Sequence, residues 1–484
     1  MNSKYLHDLL AIDTAFDVPV KHLSLNSRQL QKGDVFIACQ GLTHHGKQFI
    51  EMAVSAQVSA IIIEAPQATA YFYQGIPCIE VPDLSKNIGQ LASNFYQNPS
   101  EKMQVIGVTG TNGKTSISHY IAQCFDRDCG FFGTLGYGVY GKLQAGQHTT
   151  PDAVQLQRLF FELQQQGIQQ AVMEVSSHAL DQHRCAGIAF DVAVLSNLSR
   201  DHLDYHKTMS TYANSKRRLF FDYPIHTAVI NQDDAFGRDL LAELPQKIQR
   251  LSYSLEDPTA DLFAHYKAID QGYALNIQTP WGQTQIQTHL PALFNISNLL
   301  ATLGALLATG LSLPRASQRL QTLQPASGRM ETIITDKKVT VIIDYAHTPD
   351  ALAQVLKSCQ QQCQQRLWCV FGCGGDRDAG KRPLMGAVAE EYATDVVITN
   401  DNPRFESPEN IIEQILTGLQ LPDRAYCIND RATAITYALN HAVAGDWVVI
   451  AGKGHEDYQE TRGKRVYFSD KDFIMMGESI KQND

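Results

Sequence analysis

An apolar run, Gln104-Val105-Ile106-Gly107-Val108-Thr109, passes into the turn Gly110-Thr111-Asn112-Gly113 and then into a helix-forming stretch that begins Lys114-Thr115-Ser116. No other feature of the 484 residues narrows the fold as much. A buried strand feeding a glycine-rich turn and a helix start is the first half of a βαβ unit, and such units build a parallel sheet flanked by helices. The helix start aims unpaired N–H groups and a positive dipole end at the turn, which suits a polyphosphate. Lys114 is placed to reach terminal phosphates, and the Thr115 hydroxyl to hold Mg²⁺. The strict pattern G-x-x-x-x-G-K-[ST] is not met, because valine stands at 108, so the expected loop is a shortened variant.

The same alternation extends both ways along the chain. Apolar runs at 34–38 and 60–64 precede the loop, and 170–175, 191–195 and 227–231 follow it, with helical stretches between. Tyr96-Gln97-Asn98-Pro99-Ser100 reads as a linker. A further series begins after Pro325, with strands expected at 340–344, 367–371, 395–399 and 446–450. At roughly 150 residues per domain the length accommodates about three domains. The expected fold is therefore α/β in three domains: a small α/β N-terminal domain (1–100), a central P-loop-type, mostly parallel sheet domain (101–326) and a C-terminal Rossmann-like domain (327–484).

Charge and composition exclude several classes. Acidic residues number 50 against 40 basic, for a net charge of −10, which argues against a general nucleic-acid binder. The N-terminal residues lack the basic and apolar regions of a signal peptide. The most membrane-like run, Leu299 to Leu313, is broken by Thr302, Gly304, Thr309, Gly310 and Ser312, falls short of the ~20 residues a span requires, and reads as a buried helix. Ten cysteines show no secreted framework, so the chain is expected in the cytoplasm, without membrane insertion. Cys359, Cys363, Cys369 and Cys373 lie close together, but not at zinc-knuckle spacing, and free buried thiols are expected.

Polar clusters close several apolar runs. Glu174 precedes Val175-Ser176-Ser177-His178, and 191–195 leads into Asn197-Leu198-Ser199-Arg200-Asp201-His202. A carboxylate and an imidazole at neighbouring strand ends beside a phosphate loop fit a catalytic Mg²⁺. The alternative is capping by Ser176 or Asp201, with His202 hydrogen-bonded in the core. In the last series the strand ends read Asp344-Tyr345-Ala346-His347, Gly372 to Arg377, Asn400 to Arg404 and Gly452-Lys453-Gly454-His455-Glu456, where an open α/β sheet holds its ligand. Arg404, after the stiff Pro403, suits a carboxylate; otherwise it is a surface arginine paired with Glu406 or Glu409.

Taken together and in this order, these segments, with Phe294-Asn295-Ile296-Ser297-Asn298 and Gly328-Arg329-Met330-Glu331, resemble the Mur ligases, which build the peptidoglycan stem peptide with ATP. The phosphate loop is shared with folylpolyglutamate synthetases; Asp401-Asn402-Pro403-Arg404 is the pattern of the ligases that take meso-diaminopimelate. The resemblance implies an ATP-dependent ligase joining meso-2,6-diaminopimelate to the D-Glu carboxylate of UDP-MurNAc-L-Ala-D-Glu through an acyl phosphate. Lys114, Glu174, His202 and Lys216 would be catalytic. Thr115, Glu174, His202 and Lys216, as a carbamate, would hold Mg²⁺. Gly110, Thr111, Asn112, Gly113, Lys114, Thr115, Ser116, Asn295, Arg329 and Asp344 would contact ATP. Leu25, Ser27, Thr149, Thr150, Ser176, Gln182 and Arg184 would contact the UDP-sugar peptide, with Leu42-Thr43-His44 aligned to its uridine-side loop; His148 departs from the asparagine that relatives often carry and is left out of the site. Arg377, Asp401, Asn402, Pro403, Arg404, Gly452 and Glu456 would bind diaminopimelate, Arg404 taking the distal carboxylate and Glu456 the ammonium. The partners expected are these small molecules, with no nucleic acid, and the chain is expected to act as a monomer.

Overall fold

The computed structural model describes residues 4–10, 13–41, 45–125, 128–146, 148–269 and 272–481. Its frame is three sheets met in chain order. The first has five strands, ordered Leu23–Ser24, Val35–Ala38, Ala60–Glu64, Ile76–Val81 and Thr69–Tyr73, parallel except for the last pair. Val35–Ala38 and residues 60–63 of the next strand are buried along their length, as unbroken apolar runs covered on both faces should be.

The central sheet has ten strands. At its middle, Gln104–Thr109 pairs in parallel with Gln170–Glu174 on one side and Val192–Leu195 on the other. The chain thus leaves the first strand toward one neighbour and later returns to the opposite side, opening a crevice at the carboxyl ends of all three. The phosphate loop, Glu174 and the 197–206 segment are all delivered there. Antiparallel hairpins complete both edges, Cys129–Gly133 with Gly136–Val139, and Leu262–Ile269 with Gly272–Thr279 and Gly282–Thr288.

The third sheet is ordered Glu331–Ile334, Thr340–Asp344, Trp447–Ala451, Leu367–Phe371, Asp395–Ile398 and Tyr426–Cys427. Only its first pair is antiparallel. The central strands lie within a residue of the expected positions, and their carboxyl ends face the central crevice.

One local expectation needs correction. The apolar run 299–313 is not one helix. Leu293–Ala308 ends at Thr309, Gly310 takes a positive φ of 87°, and Leu313 opens a second helix, Leu313–Leu320. No helix among the described residues is long and apolar enough to cross a membrane. The segment 96–100 runs between the first and central sheets, with Tyr96, Pro99 and Ser100 buried and Gln97 and Asn98 turning the chain with positive φ. Cys359, Cys369 and Cys373 are buried in the third unit's apolar core and Cys363 is half-buried beside it.

Candidate active site between the central and third sheets

The phosphate loop is close-packed against the next strand end. A Cβ on Gly110 would lie 1.9 Å from the Ser196 hydroxyl, and one on Gly113 2.6 Å from Asn298 Oδ1. Both glycines also have positive φ, 145° and 84°, so a larger residue would meet strain and collision together. Gly113 ends the loop and Lys114 opens the helix Lys114–Cys124. Lys114 curls back over the loop, donating to the Gly110 carbonyl at 2.9 Å and the Thr111 carbonyl at 2.8 Å. Thr111 is braced by the Ser199 carbonyl and the Tyr212 hydroxyl, each at 3.1 Å.

Glu174 is fully buried at the end of its strand. Its carboxylate accepts from the Thr115 hydroxyl at 2.9 Å, the Thr134 backbone N–H at 2.7 Å and the Thr134 hydroxyl at 3.2 Å. Arg329 reaches the same Thr115 hydroxyl from the third unit at 3.3 Å. Lys216 is also buried, in the helix Met209–Phe221, and donates to the Gly110 carbonyl at 2.7 Å. Burial and the like charge of Lys114 hold its amine well below the ordinary lysine range. Two lysines therefore converge on one carbonyl, and the inner one is biased toward its neutral form.

His202 has φ 55° and turns its ring to Asp201, 3.3 Å away, and to His178, 4.8 Å between ring centres. Burial pushes the imidazole well below its usual pKa. No hydrogen bond joins His202 to Glu174 among the described residues. Ser176 does cap the short helix Ser177–Asp181. Asp201 caps nothing: it accepts from the His202 backbone N–H at 2.9 Å and lies within 3.6 Å of His347 and 3.5 Å of Lys381, both from the third unit.

A cleft of about 460 Å³ lies between the two sheets, lined by Asn112, Gly113 and Ser116 from the loop and by Arg329, Asp344 and His347 from the third unit. Asn295 lies deeper; it is buried, accepts from Tyr120 and Asn298, and leaves Asn298 facing the cleft. Asp344 accepts from the Met330 and Ala346 N–H groups at 2.7 and 2.8 Å, while Arg329 stacks on Tyr345, 4.6 Å from the ring centre.

A second cleft, of about 560 Å³, opens between the first and central units, with Leu25 on one wall and His148 and Arg184 on the other. Arg184 is tied to Gln182 at 2.9 Å and to the Thr150 carbonyl at 3.0 Å. Thr150 is buried against Ser176 and the Glu174 carbonyl, and Thr149 meets Thr134 at 3.3 Å. Ser27 starts a half-exposed 3₁₀ turn. Leu42-Thr43-His44 lies outside the described residues.

In the third unit, Asn402 donates to Glu456 at 2.8 Å and accepts from the Glu460 N–H at 2.8 Å. Gly452, at φ 109°, admits Asp401 so closely that a Cβ there would stand 2.7 Å from its carboxylate. Burial and the neighbouring Asp401 charge raise the Glu456 pKa, against the pull of the buried Lys453. Arg404 is half-buried at φ 50° and donates to the Gly375 carbonyl at 2.7 Å. Pairing with Glu406 is ruled out, because Arg382 grips that carboxylate with two 2.8 Å bonds, and Glu409 is bound to Ser407 and Asn429. Arg404 has no carboxylate partner among the described residues. Arg377 is exposed and held to the Asp376 carbonyl.

Sequence reasoning did not find Thr134, Lys453, the role of Asp201, or the hairpin Tyr458–Thr461/Lys464–Tyr467 that braces the 401–404 segment. Lys453 alone carried a local signal, its place inside the glycine-rich strand end.

A phosphate loop, a buried carboxylate and lysine beside it, and a polar strand-end pocket facing them from another unit together define an ATP-dependent ligase fold. The Mur ligase family catalytic domain matches residues 19–96, the Mur ligase middle domain 108–306, and the Mur ligase glutamate ligase domain 328–454. The chain belongs to the Mur ligase family. It is 44% identical to the UDP-N-acetylmuramoyl-L-alanyl-D-glutamate–2,6-diaminopimelate ligase of Coxiella burnetii, across 97% of this chain and 98% of that one. The protein of the same name in Alkalilimnicola ehrlichii is 44% identical, across 97% of each chain. A solved structure of a ligase of this name superposes with a TM-score of 0.69 at 37% identity, covering 99% of both chains.

Proposed function

We propose that this chain is an ATP-dependent ligase that adds meso-2,6-diaminopimelate to the D-Glu carboxylate of UDP-MurNAc-L-Ala-D-Glu in peptidoglycan precursor synthesis, releasing ADP and phosphate. The observation that carries the reading is a phosphate loop in the central unit joined to the Asp401–Arg404 and Gly452–Glu456 strand ends of the third, where Glu456 accepts at 3.3 Å from Tyr345 of the phosphate-loop cleft, in a chain that matches diaminopimelate ligases over 97% of its length. The chain divides near residues 100 and 326, a division supported by the spans of the three family matches.

ATP lies in the cleft, with its phosphates on the loop N–H groups and Lys114. The D-Glu carboxylate enters from the Arg184 side and takes the γ-phosphoryl group, leaving ADP. The diaminopimelate amine, having shed its proton, attacks the acyl phosphate; a tetrahedral intermediate forms and collapses with loss of phosphate. Lys114 and Arg329 face the charge that gathers as the phosphoryl group moves. Arg404 takes the distal carboxylate of diaminopimelate and Glu456 its ammonium. L-Lysine lacks that carboxylate and leaves Arg404 unmatched.

The oxygen-rich pocket of Glu174 and Thr115 fits a hard divalent cation. Thr115 and Glu174, with His202 and a carbamate on Lys216, would hold Mg²⁺, which would supply neutralisation of phosphate charge. The neutral amine of Lys216 is the form that adds CO₂, and the carbamate turns a cation into an oxygen ligand.

The reading is tested by phosphate release from ATP with UDP-MurNAc-L-Ala-D-Glu and meso-diaminopimelate, L-lysine or no amino acid. Release that depends on diaminopimelate is expected. Release indifferent to amino acid overturns the ligase; equal rates with lysine overturn the assigned pocket.

A further inference from the structure

Two adjacent charges on the central unit face two charges on the third unit with the signs reversed. Arg200 binds Asp378 through two bonds, at 3.0 and 3.1 Å. Asp201 meets Lys381 at 3.5 Å, with both side chains only 6% exposed. The turn between the partners is shaped for the contact. Asp378 accepts from the Gly380 N–H at 2.9 Å, and a Cβ on Gly380 would lie 2.3 Å from the Arg200 guanidinium.

We propose that Arg200, Asp201, Asp378 and Lys381 form a charge-reversed clamp that sets the register in which the third unit seats on the central one for bond formation. These are positioning residues, and the proposal rests on the ligase reading above. Asp201 adjoins His202 on the ATP side, and Asp378 adjoins Arg377 on the amino-acid side. A slip at the clamp therefore moves the attacking amine relative to the acyl phosphate.

The physical chemistry favours register over tightness. Burying the Asp201–Lys381 pair costs most of what their attraction returns, so docking stays reversible. A shifted seating instead leaves a buried charge unmatched, or sets like charges together, and is strongly disfavoured. Units that must part to admit three substrates can then return to one geometry.

The test uses the full chain with all three substrates, measuring kcat, each KM, thermal midpoint and radius of gyration by X-ray scattering. Arg200→Asp and Asp378→Arg should each lower kcat by about tenfold to a hundredfold, the scale of a displaced reacting group. The double variant Arg200→Asp/Asp378→Arg should recover most of that loss. Gly380→Ala, which crowds the Arg200 guanidinium and the Asp378 carboxylate, should lower kcat by a smaller factor without moving the thermal midpoint or the KM for ATP. The clamp is overturned if the single variants keep kcat within twofold, if the double is no faster than the better single, or if kcat falls only with the thermal midpoint. A parent chain without diaminopimelate-dependent turnover overturns the ligase reading itself, which separates the two failures.

Discussion

Replacing Arg404 with alanine should remove amino-acid selectivity rather than activity as such. Arg404 commits one guanidinium nitrogen to the Gly375 carbonyl, and the rest of its five-donor fork has no acid partner among the described residues. A carboxylate taking two charge-assisted bonds from that fork gains about 1.5–3 kcal/mol for each in a dry site. Half-burial screens the pair, so about 3 kcal/mol is a reasonable total, or roughly 150-fold in kcat/KM. The backbone does not confound the change, since arginine and alanine incur the same penalty at φ 50°. Initial rates of phosphate release at subsaturating amino acid give kcat/KM for diaminopimelate and for lysine. Diaminopimelate should fall by about two orders of magnitude while lysine changes little, bringing the two within about fivefold. Arg404→Lys should lie between, with the charge but not the fork. An equal fall for both amino acids would refute the reasoning. Arg404 would then act by bracing the pocket wall, through its side-chain bond to the Gly375 carbonyl.

Three further outcomes follow from the same geometry. Lys216→Ala should lower kcat more than a hundredfold, on the scale of lost charge stabilisation, and ¹³C-bicarbonate should give a carbamate resonance in the parent that the variant lacks. Glu456 has a raised pKa, so on acidification it takes up a proton at a pH where an ordinary glutamate stays ionised. The KM for diaminopimelate should therefore climb as pH falls through that range while the KM for ATP does not follow, and Glu456→Gln should flatten the profile. The same group's contribution to stability has the opposite trend, present at acid pH and lost as pH rises through the folded-state pKa. Asp470→Ala strands the Arg431 guanidinium, which is fully buried with two 2.7 Å bonds to Asp470, and should cost about 3–5 kcal/mol in urea unfolding. Arg431→Met/Asp470→Leu should recover much of that, and a loss under about 1 kcal/mol for Asp470→Ala would show the pair is not desolvated.

What could be read in advance was whatever local chemistry spells out. An unbroken apolar run ending in glycine and polar residues marks both a buried parallel strand and its ligand-facing end, which is why 104–109, 340–344 and 367–371 lie where expected. The hairpins at 262–288 escaped because their apolar residues alternate with polar ones along an edge that buries one face only, as Tyr273, Leu275 and Ile277 do. The helix misread at 299–313 failed on a single backbone angle, at Gly310. At the site, Lys114 and Glu174 stood out beside their strand ends. Lys216 did not: its spacing describes a cation on an amphipathic helix, and only the fold shows it buried against a second lysine, which lowers its pKa. For Asp201 the sequence offered only a capping alternative, for a related reason. Its partners Lys381 and His347 lie about 180 and 146 positions away, and no local pattern distinguishes a capping carboxylate from one awaiting a cation on another unit. The chemistry that runs within one strand end is therefore written in adjacent residues. The chemistry that aligns one unit with another is divided between distant segments, each unremarkable until the fold sets them face to face.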